Sequence, residues 1–129
     1  MLDELIQQDA DVAHLISADA ADGIGLKISK AGGLTPGRRQ RDMCRAAGLT
    51  LSVQDTVGSD IAFAAAAHLG QTVPEQNLRC ILDIRGMVSL TTARFDAPLK
   101  NGGIIVPDKP GLGIEPDRDA LGAPVAVYD

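Results

Sequence analysis

Apolar residues along the chain recur with two different periods, and the switching between them predicts alternating helices and strands. "DADVAHLISADAA" (9–21) places Val12, Leu15, Ile16 and Asp19 at helical spacing, with Asp9 able to cap and charge the first turn. "GIGLKI" (23–28) is a short apolar run after a break and reads as a strand. "TPGRRQRDMCRAAG" (35–48) predicts a helix with Thr35 as N-cap, Pro36 at the first helical position and Gly48 at the close. "LTLSV" (49–53) is a strand in the same rhythm. "GSDIAFAAAAHLG" (58–70) predicts a helix capped by Ser59 or Asp60 and ended by Gly70, and its alanine-rich body suits close packing on a sheet. "LRCILDI" (78–84) is another apolar strand. Strands and helices in this order, with short connections, imply right-handed βαβ units and a parallel sheet.

The last 45 or so residues change character. "MVSLTTARFDAPLKNGGIIVP" alternates weakly and breaks at Asn101-Gly102-Gly103, a turn signal. "PDKPGLGIEP" carries three prolines and two glycines in ten residues, which predicts an ordered but irregular surface segment. Neither an internal repeat nor a low-complexity tract divides the chain, so one domain over 1–129 is expected. "MLDEL" resembles the end of a strand with almost nothing before it. It is either a loop or the point at which the chain enters a larger fold.

Composition narrows the function classes. Hydrophobic residues make up 45% of the chain but aromatics only 2%, so a core must be built mainly from Ala, Val, Ile and Leu. The net charge of −5 and pI near 4.8 offer no basic face for phosphate contacts, which argues against nucleic acid as a partner. No apolar run approaches the roughly 20 residues of a membrane span. "MLDELIQQDA" lacks the basic-then-apolar order of a signal peptide. Cys44 and Cys80 fit neither a CxxC metal pair nor a disulfide framework, so a reducing, cytoplasmic setting is expected.

Chemistry in parallel α/β folds sits where the strands run out into the following loops. Those tips carry Asp3 and Glu4, then Lys27 and Lys30, then Gln54, Asp55 and Thr56, and finally Cys80 through Asp83. A lysine after an apolar strand is commonly a snorkelling surface residue, and an acid after one is as readily a helix cap. Together, however, the ionisable groups suggest a polar ring at one end of the sheet. His14 and His68 lie on helices without a second ligand at metal spacing and read as core or surface residues. Cys80 reads as a small hydrophobe in its strand. Arg38, Arg39 and Arg41 read as a solvated helix face.

"LDE", followed about two dozen residues later by "GLKISKAGGLTPGRRQRDMCRAAGLTLSV", resembles the mandelate racemase and muconate-lactonising branch of the enolase superfamily. "PDKPGLGIEPD" is similar to the closing segment of that family, and the resemblance extends over essentially the whole chain. It implies a modified (β/α)₈ barrel of which this chain is the C-terminal half, about strands five to eight, followed by the irregular segment. It also implies Mg²⁺ or Mn²⁺ as cofactor, a small carboxylate as substrate, and removal of the proton α to that carboxylate. On this resemblance Asp3 matches the last of three carboxylate metal ligands and Glu4 supports the site. Lys27 matches the acid/base lysine, with a pKa expected to fall toward neutrality in a partly dry pocket, and Lys30 is a helper. Gln54, Asp55, Thr56, Cys80 and Asp83 fall at the last two strand tips as substrate-binding candidates.

Departures from the family refine the expectation. The first lysine pair, the first two metal ligands and the capping domain have no counterpart here, so the chain is expected to be inactive alone. The histidine of mandelate-type racemases and the Asp-x-Asp of dipeptide epimerases are missing, and Cys80 stands where several relatives carry Glu. "SKAGGLT", "QDTVGSDIAFAAAAHL" and "LGAPVAVY" look most like the members acting on proline derivatives, the cis-3-hydroxyproline dehydratases and hydroxyproline-betaine epimerases. Those relatives tend to have an acid at the position of Gln54. The alternative is a non-catalytic half barrel that associates with itself or a partner through open edge strands. A complete flavodoxin-like domain fits less well, because "KAGGLTPG" is a poor phosphate-binding loop.

Overall fold

The protein is described by a computed structural model covering residues 1–56 and 58–128. Val57, within the "QDTVGSD" stretch, and Asp129 lie outside the described residues.

Strands β1 (Gly23–Lys27), β2 (Thr50–Gln54) and β3 (Leu78–Ile81) form a parallel sheet in sequence order. β1 and β2 pair from Gly23↔Thr50 to Lys27↔Gln54 without a break. β2 and β3 shift register between Leu51 and Ser52, which sets Ser52 opposite Cys80. Leu2 adds a further parallel bridge to Ile24, donating to Gly23 O at 2.9 Å and accepting from Gly25 N at 2.7 Å. "MLDEL" is therefore neither free loop nor full strand: one residue pairs, and the next two, Asp3 and Glu4, leave the sheet at the same edge as Lys27 and Gln54.

Helices α1 (Asp9–Ser17), α3 (Leu34–Ala46) and α4 (Asp60–Gly70) occupy the connections, with a single helical turn, α2 (Ile28–Ala31), directly after β1. The start of α1 is satisfied from inside: Asp11 accepts from the backbone N–H groups of Gln7 (3.0 Å) and Gln8 (2.9 Å). Asp9 does not cap; it pairs with Arg39 at 2.9 Å. α1 also ends four residues before the predicted boundary, because Ala18 closes it and Asp19 turns to φ +48°, a conformation Asp tolerates. α3 begins one residue before Thr35, with Gly33 at its N-cap, so Pro36 stands at the third helical position.

Period-two alternation gives the sheet two unlike faces. Ile24, Leu26, Leu51 and Val53 point toward the helices and are fully buried with Val12, Leu15, Cys44, Ala66 and Leu69. The opposite face carries Gly25, Lys27, Ser52, Gln54 and Cys80. α4 is apolar nearly all round because it is covered twice. One side faces the sheet, and Phe63, Ala64 and Ala67 on the other pack with Phe95, Ile104, Val106, Leu112 and Ile114.

The C-terminal segment forms this second cover. Phe63 and Phe95 meet edge-on, with centroids 6.0 Å apart, and His68 Nε2 lies 3.0 Å from Leu112 O. Short strands β4 (Ala93–Arg94) and β7 (Glu115–Pro116) pair antiparallel, and β5 (Leu99–Lys100) and β6 (Gly103–Ile104) form a hairpin. Asn101 and Gly102, at φ +53° and +77°, are its two-residue turn, as the Asn-Gly signal predicts. A last turn, α5 (Arg118–Leu121), is capped by Asp117.

Candidate active site

Lys27 is the last residue of β1 and sits on the polar face, 6% exposed. Its Nζ hydrogen-bonds the Glu4 carboxylate and lies 3.2 Å from Asp3 Oδ1. Lys30, one helical turn on, bonds the other oxygen of the same Glu4 carboxylate and reaches the Glu4 carbonyl at 3.3 Å. Gln54, Lys27's neighbour in register, donates from Nε2 to Asp3 Oδ1 at 3.0 Å. Two acids, two lysines and an amide thus form one connected set across the ends of β1 and β2 and the segment that follows the Leu2 bridge. Gly25 makes room for it: a Cβ there would collide with the Asp3 carboxylate and the Gln54 amide.

The electrostatics differ from the expectation for Lys27. Its pKa is raised, not lowered, chiefly by the hydrogen bond to Glu4, and burial opposes this without prevailing. Glu4 is correspondingly pulled down to about 2, first by Lys27 and then by Lys30. Lys27 is therefore a firmly held ammonium in this arrangement. The sequence shows the apolar strand that desolvates the amine but not the carboxylates that fold back onto it.

Other sequence candidates divide into near and remote. Asp55 and Thr56 follow Gln54 at the β2 tip, where Asp55 accepts from Ser29 N (3.3 Å), from the Ser29 hydroxyl and from Thr56 N (2.7 Å). Ser29 was not among the sequence candidates; its signal is a small hydroxyl residue between the two lysines of "KISK". Cys80, read in its strand as a small hydrophobe, is instead exposed on the polar face opposite Ser52, one residue before β3 ends, with Sγ 2.8 Å from Ser52 Oγ. β3 stops at Ile81, so Asp83 stands beyond it and is taken up by Arg85 through bonds of 2.7 and 2.9 Å. Arg85 also lies 4.2 Å over the Phe63 ring. Of the two thiols, buried Cys44 is pushed up to about 11 by desolvation and is not a nucleophile.

A cleft of about 460 Å³, lined by Leu5, Gln7, Gln8, Asp11 and Lys30, opens beside Lys30 and is not lined by Lys27. Magnesium requires near-octahedral oxygen coordination, and Asp3 is one carboxylate of such a set. Among the described residues no three His, Cys, Asp or Glu side chains are grouped to hold a metal ion. The described residues do not complete a magnesium site by themselves. Among the described residues no helix is long and apolar enough to cross a membrane.

Residues 1–120 match the enolase C-terminal domain-like family. The chain belongs to the enolase superfamily. Within that superfamily it belongs to the C-terminal part of the mandelate racemase/muconate lactonizing family. It is 41% identical over 99% of its length to the cis-3-hydroxy-L-proline dehydratase of Roseibium aggregatum, covering 35% of that enzyme. It is 27% identical to the N-succinyl-L-Arg/Lys racemase of Bacillus cereus, covering 94% of this chain and 32% of that one. A mandelate racemase/muconate lactonizing enzyme from Roseovarius nubinhibens, solved with magnesium, superposes with a TM-score of 0.94 at 53% identity, over 99% of this chain and 35% of that one. One from Aspergillus oryzae superposes at 0.93 with 55% identity, over 98% of this chain and 36% of that one. The enolase-superfamily chain thus spans about a third of the length of the relatives it matches.

Proposed function

We propose that the chain is strands five to eight of a (β/α)₈ barrel enzyme in which Lys27 exchanges the proton α to a substrate carboxylate. The observation that carries the proposal is the buried Lys27 at the strand ends, joined to Asp3, Glu4 and Gln54 in one network. Relatives that are racemases, cycloisomerases and a hydroxyproline dehydratase support the reaction class. The 41% identity to the dehydratase favours a proline derivative as substrate, with epimerisation (an isomerase) or loss of water (a lyase) as the outcome.

Within this proposal the residues divide the work. Lys27 is held as an ammonium by Glu4, the main cause of its raised pKa, so it delivers a proton, or becomes the neutral amine that takes one up, only as that bond is given up. Lys30 shares Glu4 and keeps that carboxylate in place. Asp3 would supply one carboxylate of a divalent-metal site whose other ligands come from strands outside this chain.

The test is solvent-deuterium exchange at the α carbon of cis-3-hydroxy-L-proline and L-proline, followed by proton NMR. The expected results are no exchange by the 129-residue chain alone, and exchange when the missing barrel half of a relative is supplied with Mg²⁺. Lys27→Ala should then abolish exchange from one face of the substrate. Normal exchange from both faces in that variant overturns the role of Lys27, and robust exchange by the lone chain overturns the half-site reading.

A second reading, assembly through open edges, rests on β3, whose Arg79 and Cys80 are exposed at the end of the sheet. Light scattering that shows a clean monomer removes it.

A further inference from the structure

The strand ends carry a second set of bonds that the lysine network does not use. Asp55 is the first residue after β2 and is 7% exposed. All three of its bonds fall on one oxygen: from the Ser29 N–H at 3.3 Å, from the Ser29 hydroxyl, and from the Thr56 N–H at 2.7 Å. Thr56 Oγ1 closes the group, 3.2 Å from Ser29 Oγ. A carboxylate so buried needs such partners, and bonds to a charged acceptor are about twice as strong as neutral ones.

Ser29 matters because of where it stands. It lies in α2, whose N-cap residue is Lys27 and whose last turn contains Lys30. Ile28 anchors this turn below in the core at 5% exposure. On the far side Gly32 and Gly33, at φ +91° and +117°, end the turn and bond back to it, both N–H groups donating to Ile28 O at 3.1 and 2.9 Å. The Lys27 backbone is fixed by the sheet, Ile28 by the core, and Ser29 by Asp55. With the turn held at these points, both ammonium groups converge on Glu4.

We propose that Asp55 is a positioning residue, a clamp from the β2 tip onto Ser29 that holds the Lys27–Lys30 turn so that both lysines meet Glu4. This reassigns Asp55, and Thr56 with it, from binding substrate to orienting the lysine that does the chemistry. The catalytic consequence rests on the role proposed above for Lys27, whereas the clamp itself does not.

The test uses Asp55→Ala and Ser29→Ala in the 129-residue chain, with Ser29→Thr as the conservative variant. Two NMR readouts are taken: amide hydrogen exchange, and ¹³C relaxation at the Cε atoms of the lysines. In Asp55→Ala the Thr56 and Ser29 amides should exchange at least tenfold faster while Leu26 and Val53 stay protected. Lys27 and Lys30 Cε should become more mobile, and Ser29→Thr should keep them ordered. Unchanged lysine order in Asp55→Ala overturns the clamp. Where the Leu26 and Val53 amides are also lost, Ser29→Ala decides on the same lysine readout, with unchanged order again overturning it. In the barrel completed as above, Asp55→Asn should lower kcat with little change in KM. A raised KM with kcat kept makes Asp55 a substrate contact and overturns the proposal. The relaxation result stands whether or not Lys27 proves catalytic, so failure of the clamp and failure of the functional reading are separable.

Discussion

The two faces of the sheet are made from alternate residues of the same strands, yet they are built to opposite rules. On the helix side Ile24, Leu26, Leu51 and Val53 are 0% exposed and belong to one apolar cluster. On the other side Lys27, Ser52 and Gln54 are just as thoroughly enclosed, at 5–6% exposed, but each is satisfied by a polar partner. Apolar burial contributes about 25 cal/mol per Å² to stability, whereas a buried hydrogen-bonded group comes out only slightly ahead of its solvation in water. Stability is thus concentrated on one side of the pleat and chemistry on the other. A substitution at one position should leave the function of its sequence neighbours largely intact.

The largest effect expected from that separation is on the helix side. Leu26→Ala should destabilise the chain by about 2–5 kcal/mol in urea denaturation, the range for emptying a packed leucine site. The Lys27–Glu4 contact should survive in the fraction that stays folded. A loss of that contact without unfolding would mean the two faces are coupled through the β1 backbone.

An intermediate effect comes from the polar side and depends on pH. Glu4 is lowered from 4.5 to about 2 by Lys27 and Lys30, so it binds protons more weakly folded than unfolded. Its contribution is complete above about 4.5 and is lost as the pH falls toward about 2. Lys27 is raised above 10.5 by Glu4, so its contribution is complete below that value and fades as the pH climbs past its folded pKa. The urea midpoint should therefore fall on both sides, and Glu4→Gln should flatten the acid limb. An acid limb as steep in Glu4→Gln as in the parent would assign the sensitivity to other carboxylates.

The smallest effect is expected at Ser52, one residue from the buried Val53. Ser52→Ala removes a hydroxyl whose recorded side-chain partner is the weakly bonding sulfur of Cys80, and should change stability by less than about 1 kcal/mol. A thermal shift approaching that of Leu26→Ala would show that the polar face carries stability as well.

Some elements were legible from local pattern alone. β1 and β2 fall within a residue of their predicted limits because short apolar runs bounded by glycine or polar breaks leave little choice. The Asn101-Gly102 turn was legible because both positions need positive φ. The lysine at the end of an apolar strand was legible as an anomaly. The end of α1 was not, because Asp19 keeps the helical spacing while its backbone has already left the helix. The location of Cys80 was not, because an apolar strand gives no sign that it closes the sheet with one flank open.

From sequence alone come the alternation of strand and helix, the parallel order that follows from it, the turns, and a lysine standing where an apolar strand runs out. These depend on periodicity and on backbone freedom, which act over a few residues. Only the tertiary structure decides what that lysine is. Glu4 lies 23 residues from Lys27, Asp55 lies 26 from Ser29, and Gln54 lies 51 from Asp3. It is the parallel register of β1 with β2, and of Leu2 with β1, that brings them together. That register makes Lys27 a held ammonium rather than a half-neutral amine, because the energy of a charge depends on which charges the fold sets beside it.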